Sequence, residues 1–97
     1  MKRFLLALVS VVAVSAPALA QIALVRTYNC NNCHVVDRVS VGPRYTDIAK
    51  KFAGQSLAVD RIASLIVNGT GAMPPQTQVS RTTAREIAIW ILSLKVN

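Results

Sequence analysis

A second pair of soft metal ligands is missing from this 97-residue sequence, which has only two cysteines and a single histidine, His34. That leaves a zinc site short of the four ligands it needs. No stretch alternates apolar and polar residues as a strand would, which argues against a thioredoxin-type dithiol, whose C-x-x-C needs a βαβ setting. There are no internal repeats, and no linker is long enough to divide the chain. Acidic residues are also scarce, with 4 Asp and Glu against 11 Lys and Arg. That imbalance favours partners with acidic surfaces.

The N-terminus is built differently from the rest. Lys2 and Arg3 form a positive segment, Phe4 to Val14 is an almost unbroken apolar run, and Pro17 precedes Ala18-Leu19-Ala20, a small-x-small cleavage pattern. Residues 1–20 read as a secretory signal peptide, with 21–97 as one small exported domain. The apolar run is shorter than the roughly 20 residues needed to cross a bilayer. No membrane span is expected after its removal, and an exported protein is not expected to meet nucleic acid. Taking Lys2 and Arg3 from the 11 basic residues leaves 9 against 4 acidic ones, a net charge of about +5.

The exported part reads as all-α. Ile22 to Tyr28 has apolar residues three and four apart, a short amphipathic helix running into Cys30. Gly42-Pro43 marks a turn. A second helix starts near Tyr45, with Ile48, Ala49, Phe52 and Ala53 as its apolar face and Gly54 as its stop. Val59, Ile62, Ala63, Leu65 and Ile66 mark a third, ended by Asn68-Gly69. Residues 68–78 read as a loop. Ser80 is placed to cap a last helix, in which Ala84, Ile87, Ala88, Trp90, Ile91 and Leu94 form one stripe.

What remains is the stretch Cys30-Asn31-Asn32-Cys33-His34. C-x-x-C followed by histidine is the signature of covalent c-type haem attachment: two thiols add to the haem vinyl groups, and the histidine reaches the iron. A dithiol redox pair is the main alternative. A Cys30–Cys33 disulfide would close too short a loop to help the fold. A domain this small also needs a staple beyond its core, and only this motif offers one. Met73 is the sole methionine after residue 20, and it lies in an irregular loop stiffened by Pro74 and Pro75. A thioether there suits the sixth iron position, and a His/Met pair saturates the iron and raises its potential.

Together with Val41-Gly42-Pro43, residues 45–54, Met73-Pro74-Pro75-Gln76 and residues 90–95, the motif resembles the short bacterial class I cytochromes c. The resemblance implies four short helices around one covalent haem c, in a periplasmic electron carrier rather than an enzyme. It implies Cys30 and Cys33 as attachment sites and His34 and Met73 as iron ligands. The Pro43 carbonyl would orient His34, Gln76 would bond the methionine sulfur, and Trp90 would pack on the haem edge and the first helix. There are departures from the family pattern. The loop before Met73 is shortened and lacks the family's propionate-binding tryptophan. Leu65 stands where a basic residue is common, with Arg61 one turn away as a substitute. Asn29 replaces a glycine, and Val25 an aromatic residue.

Three functions follow from this reading. The first is a diffusible, monomeric carrier that docks acidic redox proteins through residues such as Arg26, Arg38, Lys50 and Lys51. The second is a haem subunit held on a larger periplasmic oxidoreductase, or a dimer covering the propionate edge. The third is a small haem enzyme or gas sensor with an open sixth site, against which stands the lack of a second histidine or an acid near Met73.

Overall fold

The computed structural model of the chain describes residues 16–95. It contains four helices, α1 (Ala16–Thr27), α2 (Tyr45–Phe52), α3 (Ala58–Asn68) and α4 (Arg81–Ser93), with a short 3-10 turn at Cys30–Asn32 between α1 and α2. Among the described residues there is no strand, only one isolated bridge between Thr70 and Met73. The all-α expectation therefore holds. Most of the expected signal peptide lies outside the described residues. Its last residues, 16–20, belong to α1, which begins earlier than the apolar spacing from Ile22 indicated and runs unbroken past Ala20.

The core is organised on α4. Its Ala84, Ile87, Ala88, Trp90 and Ile91 are all buried, at the three-and-four spacing that lines one helical face. That face meets α1, α2 and α3. The other helices contribute Val25 from α1, Tyr45, Ala49 and Phe52 from α2, and Ala58, Ile62, Ala63 and Ile66 from α3. Each fully buried Ile or Phe stabilises the fold by about 1.5–3 kcal/mol, while the alanines add little beyond close approach. Val25, 2% exposed, fills its place on α4 with less bulk than an aromatic ring.

Helix ends follow local chemistry. Ser80 Oγ accepts the Thr83 backbone N–H at 3.1 Å, capping α4 as its position indicated. Replacing Ser80 by alanine is expected to cost about 1 kcal/mol. For a domain of this size that is a fall in melting temperature of about 4–8 °C, measurable by calorimetry. The first N–H groups of α2, on Tyr45 and Thr46, donate to the carbonyls of Val35 and Val36 at 2.9 and 3.3 Å, so the chain just after His34 closes that end. Leu57, exposed and at φ 61°, precedes α3 in a left-handed conformation that costs a non-glycine residue about 1–2 kcal/mol.

Gly69 ends α3 at φ 77°, and a Cβ there would lie 2.7 Å from both the Met73 carbonyl oxygen and the Pro75 nitrogen. Glycine is needed both for the angle and for the space. Thr70 and Met73 then exchange both backbone hydrogen bonds, at 3.0 and 2.9 Å, and the Gln76 N–H returns to the Ile66 carbonyl at 3.0 Å. The short loop is thus a tight turn tied back onto α3.

Candidate functional site

The Cys30–His34 segment is wound tightly by its own backbone. Helix α1 stops at Thr27, and Asn29 turns the chain at φ 60°, ψ 24°, a left-handed conformation open mainly to glycine and asparagine. Asparagine is one of the few residues besides glycine that accepts this angle. The N–H groups of Cys33 and His34 both donate to the Cys30 carbonyl, at 3.2 and 3.0 Å. Both thiols are free, with Cys30 half-buried and Cys33 exposed. Burial pushes the Cys30 thiol up from its ordinary range, so it is a neutral thiol near pH 7. A redox dithiol needs the opposite, a first thiol stabilised as thiolate.

His34 is held on three sides. Its Nδ1–H donates to the Pro43 carbonyl at 2.8 Å, leaving the Nε2 lone pair as the free donor. Gly42 lies against the ring: a Cβ at that position would sit 2.6 Å from Cε1 and 2.8 Å from Nδ1. The Gly42 N–H donates to the Cys33 carbonyl at 2.7 Å, which fixes that close approach. Tyr45 supplies the third side, its ring centroid 5.5 Å from that of His34.

Tyr45 in turn ties the site to the core. It is 2% exposed and meets Trp90 edge-on at 5.1 Å. Its hydroxyl donates to Asn31 Oδ1 at 2.8 Å, across 14 residues of sequence. Burial raises the phenol well above its usual range and so keeps it a donor. Trp90 is buried in the shared core of α4. Met73 and Cys30 are both partly buried and pack against that same core. Gln76 spends one amide hydrogen on the Pro74 carbonyl at 2.9 Å, and its Oε1 accepts from Gln78 Nε2 at 3.0 Å. Gly42, Tyr45 and Asn31 gained no role from the sequence. The Gly-Pro pair read as an ordinary turn, and the partners of Tyr45 are too distant in sequence for periodicity to find.

The donor set is soft: two free thiols three positions apart, an imidazole with Nε2 available, and a thioether. Among the described residues no group of three or more His, Cys, Asp or Glu side chains is placed to hold a bare metal ion. These residues fit a haem fixed through sulfur with nitrogen and sulfur donors for its iron. Two surface grooves, sharing Phe52 and Leu57, lie beside α2 and α3 and touch neither Cys30, His34 nor Met73. The chemistry of the side chains defines the site, not a surface recess.

A small helical domain with one such attachment turn is a single-haem c-type protein. Residues 17–91 match the family model described as cytochrome c oxidase, cbb3-type, subunit III. Cytochrome c-552 of Hydrogenobacter thermophilus is 42% identical, covering 98% of this chain and 100% of the relative. Cytochrome c-551 of Pseudomonas aeruginosa is 42% identical over 74% of each chain. The crystal structure of cytochrome c552 of Nitrosomonas europaea superposes with a TM-score of 0.72 at 38% identity, covering 76% of this chain and 99% of that one. The chain belongs to the cytochrome c family, among its small bacterial class I members, and its cofactor is one covalently bound haem c with iron.

Proposed function

We propose that this protein is a periplasmic electron carrier rather than an enzyme. In this reading residues 1–20 are removed on export, and Cys30 and Cys33 form the thioethers. His34 Nε2 and the Met73 sulfur would be the donors that hold the haem iron. The haem supplies a one-electron couple; the chain's own residues fix the ligands and set who may approach. The observation that carries the reading is the His34 Nδ1–H to Pro43 bond, which presents Nε2 as a pre-aimed donor. The loop around Met73 supports it, because the paired Thr70 and Met73 backbones and the two following prolines stiffen the segment that carries the thioether. Gln76 has a second amide hydrogen with which to meet that sulfur.

The surface also suits transient docking. Val39 and Val41, 67% and 82% exposed, flank the attachment turn beside exposed Arg38. Asp47 and Asp60 are already paired with Arg44 and Arg85. Lys50, Lys51, Arg26 and Arg38 have no ion-pair partner among the described residues. Unpaired cations of this kind speed encounter with an acidic redox partner, an effect that weakens with salt. No helix among the described residues is long and apolar enough to cross a membrane. The family description names an oxidase subunit, which favours a second reading as a bound haem subunit. In that case the protein would co-purify with its oxidoreductase.

Met73→Ala is the direct test. The variant is expected to keep its covalent haem and to lose its sixth ligand, giving a high-spin ferric spectrum and a large fall in reduction potential. An unchanged potential and a low-spin spectrum would remove Met73 from the iron.

A further inference from the structure

Asn31 occupies a variable position of C-x-x-C-H, yet it is joined to the core. Its Oδ1 accepts the Tyr45 hydroxyl at 2.8 Å. Tyr45 is at the start of α2, buried, with its ring 5.5 Å from His34 on one side and 5.1 Å from Trp90 on the other. The attachment turn, the imidazole and α4 are thus connected through one side chain. Pro43 and Gly42 fix where His34 Nδ1 sits, but a single hydrogen bond leaves the imidazole free to rock about it. Besides Gly42 at the Cε1–Nδ1 edge, the Tyr45 ring limits this rotation, and among the described residues the Asn31 bond is the one hydrogen bond on its hydroxyl.

We propose that Asn31 and Tyr45 are a positioning pair that sets the rotational angle of the His34 imidazole, and through it the electronic state of the iron. The proposal rests on His34 being an iron ligand, as argued above. The plane of an axial imidazole decides how unpaired spin is shared around the porphyrin. In the ferric protein the shifts of the four haem methyl protons therefore report that angle. Neither side chain need touch the haem to act this way.

The test uses the exported holoprotein with Asn31→Ala, Tyr45→Phe, the double variant and Asn31→Asp, read by proton NMR and by melting temperature. The two single changes are expected to alter the spread of the haem methyl shifts in the same sense. The double variant is expected to go no further than either one, because the two groups act as a unit. Asn31→Asp keeps an acceptor oxygen and is expected to restore the wild-type pattern. An unchanged pattern in both single variants, with or without a lower melting temperature, would overturn the proposal. An additive double variant, or failure of the aspartate to restore the pattern, would also overturn it. Wild-type protein that lacks covalent haem, or whose His34 does not bind the iron, would overturn the functional reading and this inference together. Altered variants in a normal wild-type background bear on the inference alone.

Discussion

Alanine at position 42 is expected to dislodge His34 while leaving the haem attached through Cys30 and Cys33. The added Cβ would fall 2.6 Å from Cε1, 2.8 Å from Nδ1 and 3.2 Å from the Cys33 carbonyl oxygen. All three distances are shorter than the 3.4 Å at which ordinary contact begins. The backbone cannot retreat, since the Gly42 N–H is bonded to Cys33 at 2.7 Å. The ring must move, and moving it breaks the bond to Pro43. Overpacking of this kind costs about 1–3 kcal/mol, and losing the orienting bond weakens a metal-bound histidine by about 10- to 100-fold. The expected result is a mixed- or high-spin ferric spectrum at neutral pH. Pro43→Ala is the contrast, because it keeps the backbone carbonyl and should leave the spectrum near wild type. If Gly42→Ala stays fully low-spin, the close approach does not constrain the ligand.

Removing both thiols, as Cys30→Ala/Cys33→Ala, is expected to cost the fold as well as the covalent haem. Among the described residues the buried set has 14 hydrophobic residues, and five of them are alanines, so the apolar burial is thin for a domain of this length. Cores in this size range rarely supply more than about 3–5 kcal/mol. The two ion pairs do not change that, because Arg44 with Asp47 and Arg85 with Asp60 are exposed, and such pairs contribute about 0–1 kcal/mol each. Far-UV circular dichroism should show most of the helix signal gone at room temperature, with no cooperative melt. A double variant that melts cooperatively near the wild-type temperature would show that the core stands without its staple.

Much of the fold was legible because it is written locally. The stripe of α4 follows from Ala84, Ile87, Ala88, Trp90 and Ile91 at helical spacing, and its start follows from Ser80. Gly69 was readable as a stop, although the close approach of Met73 and Pro75 to it was not. Asn29 illustrates a departure with a local explanation, since its left-handed angle is one that asparagine accepts. Leu57 at φ 61° has no such signal, because a leucine offers nothing that favours the angle. Helix α1 reaches back to Ala16 because residues 16–20, set apart in the sequence as the end of a signal peptide, continue the helix that the apolar period marks from Ile22 onward.

At the site, the residues with chemistry of their own stood out, and those that act by contact did not. Two thiols, an imidazole and a lone thioether announce themselves. The role of Gly42 depends on an imidazole eight residues earlier, and the Tyr45 bond to Asn31 spans 14 residues. Neither contact has a period or a motif, so each became visible only once the loop after His34 had closed onto α2. The short turn before Met73 belongs to the same class. Its Thr70–Met73 pairing shows that the segment is a defined turn.

The most direct test of the account is the visible absorption spectrum of the oxidised protein, exported in a cell that matures c-type cytochromes. The account predicts one covalent haem per chain, with a weak far-red band from charge transfer between the Met73 sulfur and ferric iron that disappears on reduction. Covalent haem without that band, or a chain exported with no haem at all, would contradict it.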